Sequence, residues 1–288
     1  MSYIVTGVTG HTGAVVADAL LAQGKRVRVV VRERSKGDRF AARGAEVAVA
    51  DLGDAGALAQ ALTGAQGAYL LVPPNFAAPS FRTYQRQTAD AIAAAAKQSG
   101  LPHLVLLSSI AAERDAGTGP IVGLHYLEGL LRALPQTRST FIRAAYFMEN
   151  LGGSLSMLEQ GVMPSFTPAN MALDMIATAD IGKLAAQLLV EGASATSVVE
   201  LSGGRYSPSD AAAAVSAIVG KPIAVAEAPL EAMVPTLTGF GMPTEVAELY
   251  REMTQAAIDG RLAFEGGHRR VQGTTPLATV LRQLLGKA

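Results

Sequence analysis

Three glycines at a three-residue spacing lie in Val5-Thr6-Gly7-Val8-Thr9-Gly10-His11-Thr12-Gly13, between a short apolar run and a helix-forming one. A strand that turns directly into a helix needs glycine at the bend, where a phosphate meets the backbone, and where helix and strand touch. A second apolar run, Arg26–Val31, follows the helical stretch predicted at Ala14–Gln23 and completes a βαβ unit of the length this turn requires. The motif predicts a dinucleotide whose pyrophosphate lies at a helix N-terminus, bordered by Gly7, Thr9, Gly10, His11, Thr12 and Gly13.

The same alternation continues through the first half. Strands are predicted at Tyr3–Thr6, Arg26–Val31, Glu46–Ala50, Ala68–Val72, His103–Leu107 and Thr140–Arg143, with helices near Asp38–Arg43, Ala55–Leu62, Phe81–Ser99 and Val122–Leu134 between them. Nearly continuous apolar strands imply burial on both faces, and their alternation with helices implies an α/β fold, a doubly wound parallel sheet of Rossmann type. The second half has fewer strand signals. It reads as a smaller mixed, mainly helical lobe with a helix near Asp180–Leu189, a strand Val198–Leu201 and a helix capped by Ser207 with Pro208 in its first turn and Gly220 at its end. A strand at Ile223–Ala226 and helices at Glu231–Leu237, Thr244–Asp259 and Pro276–Leu285 follow, the last after a Gly-Gly-His-Arg-Arg loop. The expected organisation is a dinucleotide-binding domain over residues 1–152 and a cleft-closing lobe over 153–288, with room for the chain to return to the main sheet.

Ligands of such sheets lie beyond the carboxyl ends of the strands, so the residues that follow each strand are the candidates. After the second strand comes Arg32, where selection of an unphosphorylated cofactor would place a carboxylate; a guanidinium suits a 2′-phosphate, with Arg34 and Lys36 adding charge. This favours NADPH, while Glu33 next door leaves NADH open. Asp51 and Leu52 after the third strand suit an adenine edge and face, or Asp51 begins a turn. Val72, Pro73 and Pro74 would run beneath the ribose and nicotinamide, and Ser108 would face the cleft or cap a turn. Phe76, Tyr146 and Asn150 are the substrate-cleft candidates, with Phe240 and Met242 as further possibilities from the second lobe.

Composition narrows the partners. The 288 residues are 49% hydrophobic with a formal net charge of zero, which gives no electrostatic footprint for nucleic acid or an anionic membrane surface. No cysteine is present, which excludes disulfides, thiolate metal sites and a cysteine nucleophile, and His103 and His268 stand in no ligand spacing, so no metal site is expected. Neither a signal peptide nor a membrane span is visible, and the cytoplasm is the expected location. A small-molecule acceptor is the expected partner, and a homo-oligomer is compatible with the chain.

Taken in order, several segments resemble the NmrA-like atypical short-chain dehydrogenases/reductases, and above all their NADPH-dependent quinone reductase branch. These are Thr6 to Gly13, Val31-Arg32, Gly44-Ala45-Glu46-Val47 leading to Asp51-Leu52, Ser108-Ser109, Phe141-Ile142-Arg143, Tyr146 to Leu151, and Ala179-Asp180-Ile181-Gly182. The resemblance spans essentially the whole chain and implies an NADP(H)-binding Rossmann lobe with a smaller lobe over a substrate cleft.

The catalytic Tyr-x-x-x-Lys pair of better-known short-chain dehydrogenases is absent, because Leu130 stands four residues after Tyr126. His125, Tyr126 and Ser108 are the remaining catalytic candidates. His125 and Glu128 share a helix face, so the carboxylate could hold an imidazolium. Without a cationic partner, the Tyr126 phenol would keep its ordinary pKa of roughly 10. Quinones and other flat conjugated acceptors take hydride without a strong acid, and this favours a reductase acting on them. The alternative is a non-catalytic NADP(H)-sensing regulator acting through a protein partner.

Overall fold

The computed structural model describes residues 2–287. The first half comprises β1 (Ser2–Val5), α1 (His11–Ala22), β2 (Val27–Val31), α2 (Asp38–Ala41), β3 (Glu46–Val49), α3 (Ala55–Leu62), β4 (Ala65–Leu70), α4 (Phe81–Ser99), β5 (His103–Ser109), α5 (Val122–Arg132) and β6 (Arg138–Ala144). After β7 (Tyr146–Phe147) and a 3-10 stretch over Met148–Gln160 come β8 (Val162–Ser165), β9 (Leu173–Ile176), α6 (Thr178–Glu191), β10 (Ser197–Ser202), β11 (Gly204–Tyr206) and α7 (Pro208–Val219). The chain ends with β12 (Ala224–Glu227), α8 (Met233–Gly239), α9 (Thr244–Ile258), β13 (Arg269–Gln272) and α10 (Leu277–Leu284).

Eight strands form one sheet in the order β3-β2-β1-β4-β5-β6-β10-β13, and every neighbouring pair is parallel. The strand order reverses at β1, which opens the ligand crevice of a doubly wound sheet beyond the carboxyl ends of β1 and β4. On one face Val16 and Leu20 of α1 pack with Ile181, Ala185 and Leu188 of α6. On the other, Leu58 and Leu62 of α3, Ile92 and Ala96 of α4, and Leu127 and Leu131 of α5 form the second core. Alanine on α4 lets that helix lie close to the sheet without large side chains between them.

Two carboxylates close helix N-termini, and one of them, Glu245, ties the second half to the first. Glu149 accepts from the Thr178 backbone N–H at 2.9 Å and from its hydroxyl, closing the N-terminus of α6. Glu245 of α9 accepts from the backbone N–H groups of Phe81 and Arg82 and from the Ser80 hydroxyl, closing the N-terminus of α4. Each places negative charge where the helix dipole and free N–H groups favour it.

The β4 strand occupies Ala65–Leu70, earlier than the predicted 68–72, because Leu71 and Val72 already turn toward the crevice ahead of Pro73. Helix α1 starts at His11 rather than Ala14, so Gly13 lies inside its first turn. The expected loop at the two arginines is partly strand: Arg269 and Arg270 open β13, whose charged, exposed residues suit a sheet edge. The Ser207 cap, Pro208 and Gly220 stop of α7 stand as their spacing predicts, with Ser207 and Asp210 bonding reciprocally.

His103, at the start of β5, is buried against Thr140, and burial holds its pKa below the ordinary 6.5. The unfolded chain then binds a proton that the folded one refuses, so stability is full above 6.5 and declines as pH falls through the folded value. A His103→Gln variant is expected to show a flatter fall in melting temperature between about pH 6.5 and 5 than the parent protein.

Candidate active site

Gly7 has φ of +64°, and a Cβ there would press on Leu71 at 2.7 Å. A Cβ on Gly13 would run into the Thr6 carbonyl and stand 2.5 Å from the Gly7 backbone. Both glycines are therefore demanded by the fold. Gly10 differs: its backbone is extended, it is exposed, and the nearest atom to a Cβ would be the Gly7 carbonyl at 3.4 Å. Nothing in the protein requires glycine there, which leaves a bare backbone facing open space.

Helix α1 has no side-chain cap and no acidic residue in its first turn. The N–H groups of His11, Thr12 and Gly13 lack an earlier helical carbonyl, so this end attracts an anion. Thr12 contributes backbone only in part by constraint, since its buried hydroxyl accepts from Tyr69 Oη at 2.9 Å. Thr9, Gly10 and His11 share a hollow of about 560 Å³ with Lys36 and Arg39, which bring positive charge to the loop. Arg39 was not singled out from the sequence; Arg34 instead turns toward the Val47 carbonyl.

Strand β2 ends at Val31, so Arg32 directly follows it. Arg32 is exposed and, among the described residues, has no carboxylate within 4.0 Å. Asp51 and Tyr84 lie near enough for Arg32 and Asp51 to act on the Tyr84 phenol, whose pKa is raised mainly by burial. Asp51 forms the turn weighed as an alternative, with Oδ1 accepting from the Gly53 N–H at 2.8 Å. Leu52, Val72 and Pro73 are half-buried along the crevice side of the sheet, and Pro74 is exposed.

The catalytic expectations need correction. Ser108 does not face the cleft: it is buried and donates to Glu128 Oε1 at 2.6 Å, because its side chain follows that of Arg143, its register partner on β6, toward α5. Glu128 holds no imidazolium. It is 3% exposed and receives Arg143 Nη2 at 2.9 Å and Arg132 at 3.2 Å. His125 instead donates through Nδ1 to the Ala112 carbonyl at 2.9 Å, since a carbonyl can only accept. That carbonyl follows Ala111, the one non-glycine residue with positive φ among the described residues, a strained turn after β5. Tyr126 points to α4, donating to Asp90 at 2.7 Å with Arg86 over its ring, and lines neither the glycine-loop hollow nor the large cavity beyond β5 and β6.

A cavity of about 640 Å³ opens beyond β5 and β6, with Ile110 and Tyr146 on its sheet side. Six methionines, Met157, Met163, Met171, Met175, Met233 and Met253, line it. Burial pushes the Tyr146 phenol up to about 12. Asn150 is exposed and does not line the cavity. Phe76 is also outside it, stacked on Phe81 at 5.9 Å and edge-on to Tyr250 of α9 at 6.1 Å. Phe240 stands at the rim, 83% exposed. Met157, Met163, Met171 and Met175 escaped sequence reasoning because residues 148–175 have no helical or strand period to place them on one face, while Met233 and Met253 reach the same space from α8 and α9.

The sequence signature of the NmrA-like family matches residues 2–265. This chain belongs to the NmrA-like family. Among curated proteins this NmrA-like chain is 27% identical over 267 residues to an NAD(P)H azoreductase of Xenophilus azovorans, across 90% of this chain and 88% of that one. Among solved structures it resembles an NADPH-dependent quinone oxidoreductase of Escherichia coli, with TM-score 0.78, 25% identity, and coverage of 99% and 100%. It also resembles the triphenylmethane reductase of Citrobacter sp. complexed with NADP(H), with TM-score 0.83, 21% identity, and coverage of 98% and 100%. The second structural likeness carries the fold alone. Among the described residues no helix is long and apolar enough to cross a membrane.

Proposed function

We propose that this NmrA-like protein is an NADPH-dependent oxidoreductase that reduces quinone-like and other flat conjugated acceptors. The observation that carries the reading is the presence of two sites beyond the carboxyl ends of one parallel sheet. An uncapped helix N-terminus with a bare Gly10 backbone adjoins a cationic hollow, and a large methionine-lined cavity opens beyond neighbouring strands. The names of an azoreductase and a quinone oxidoreductase among its relatives point the same way.

NADPH, when bound, supplies the hydride. The N–H groups of His11, Thr12 and Gly13 would hold its pyrophosphate, and Arg32, with Lys36 and Arg39, its 2′-phosphate. Leu52 and the Val72-Pro73-Pro74 segment would border the adenosine and nicotinamide sides. The cavity excludes water and orients the acceptor by contact with methionine and aromatic side chains. Tyr146 keeps its proton at neutral pH and can donate a hydrogen bond to an acceptor oxygen or nitrogen. His125, with Nδ1 committed to Ala112, has Nε2 for proton exchange.

Arg32→Ala is expected to weaken NADPH about tenfold to a hundredfold while leaving NADH within about twofold, the loss of charge-assisted bonds to one phosphate. Equal losses for both would remove Arg32 from the 2′-phosphate. A second reading, a cofactor sensor, is favoured by one feature: Tyr126 is bonded to Asp90 and Leu130 stands where the lysine would be. Steady-state NADPH oxidation with a benzoquinone and with a neutral azobenzene separates the two, because a sensor consumes NADPH with neither.

A further inference from the structure

Asp174 is the one charged side chain among the residues lining the 640 Å³ cavity; no lysine, arginine or histidine lines it. It sits on β9 between Leu173 and Met175, and its Oδ1 accepts from the Ser202 hydroxyl at 2.8 Å. Arg205, opposite it in the β9–β11 register, turns its guanidinium to the Ala172 carbonyl at 2.8 Å. Among the described residues, no cation lies within 4.0 Å of the Asp174 carboxylate. Tyr146, Phe166, Tyr206 and Phe240 present aromatic groups around the same space.

We propose that the cavity selects multi-ring acceptors carrying a positive charge, and that Asp174 reads that charge. An anionic acceptor entering an apolar space beside an uncompensated carboxylate loses hydration and meets repulsion, whereas a cationic one gains a counter-ion and aromatic faces. The polarisable methionine side chains conform to a flat ring system without adding charge. Calling the ligand an acceptor rests on the reductase reading; the charge preference does not.

The test uses two azobenzenes of one skeleton, differing only in a para trimethylammonium or a para sulfonate group, titrated onto the full chain in the presence of NADP⁺ so that no turnover occurs. The cationic dye is expected to bind about tenfold more tightly than the anionic one. Asp174→Asn should bring the two affinities to within about threefold, and Ser202→Ala, which keeps the carboxylate, should preserve the preference. A melting curve and NADPH titration of each variant report folding. Equal binding by the parent protein, tighter binding of the sulfonate, absence of binding by either dye, or an unchanged ratio in a folded Asp174→Asn variant would overturn the proposal. Replacing NADP⁺ with NADPH provides the separate arm: a persistent binding ratio without NADPH consumption defeats the reductase reading and leaves charge selection standing.

Discussion

Alanine at Gly10 and alanine at Gly13 are expected to separate cofactor binding from folding. At Gly13 the new methyl group meets the Thr6 carbonyl and the Gly7 backbone, neither of which can rotate aside. Overpacking against backbone costs roughly 3 kcal/mol, so the Gly13→Ala protein should melt some 6–12 °C lower and lose NADPH binding as its first turn shifts. At Gly10 the nearest protein atom is 3.4 Å away, and the extended backbone there suits any residue. Gly10→Ala should therefore change stability by less than about 1 kcal/mol. Its methyl group nevertheless projects into the space left for a pyrophosphate, and NADPH affinity should fall by about a hundredfold or more. Melting curves and NADPH fluorescence titrations check both. A Gly10→Ala protein that binds NADPH normally would show that the loop is only a turn.

Breaking the Arg143–Glu128 pair is expected to produce the larger stability loss. Arg143 on β6 is 5% exposed, and besides Glu128 it reaches Glu265 at 2.7 Å and Glu113 at 3.2 Å. The guanidinium holds the Glu265 carboxyl below its ordinary pKa. Arg143→Met leaves the buried Glu128 with only Arg132 and Ser108, and removing one partner of a buried pair typically costs about 3–5 kcal/mol. The Arg143→Met/Glu128→Leu double variant removes both charges and should recover much of that loss in chemical denaturation. Losses that simply add would show that the two residues act separately. The network joins β5, β6 and α5 to the segments bearing Glu113 and Glu265, next to Ile110 and Leu262 of the cavity wall. The single variant should therefore also raise the acceptor KM more than it changes NADPH affinity.

Much of the sheet was legible because its strands are buried on both faces and punctuated by glycine, proline and capping residues. Ala55–Leu62 and Phe81–Ser99 are helices over those same residues, the first capped by Asp54 and the second by Ser80 and stopped at Gly100. The glycine loop was legible because Gly7 and Gly13 answer to local backbone sterics. What failed was direction. Ser108, Tyr126 and Glu128 lie where the motif order places them, yet their side chains are claimed by Glu128, Asp90 and Arg143 respectively, partners distant in sequence. Sequence spacing put His125 and Glu128 on one helix face but could not show that Arg143 would draw the carboxylate inward. The acceptor cavity was least legible, because 3-10 structure and two- to four-residue strands between 146 and 176 leave no periodic signal.

The most direct measurement follows NADPH fluorescence in one cuvette, first on addition of the protein and then on addition of a small benzoquinone, beside a protein-free control. Enhancement on binding, followed by decay that scales with protein concentration, is the predicted result. Enhancement with no protein-dependent decay for the quinone or for either charged azobenzene would contradict the reductase account and favour the sensor.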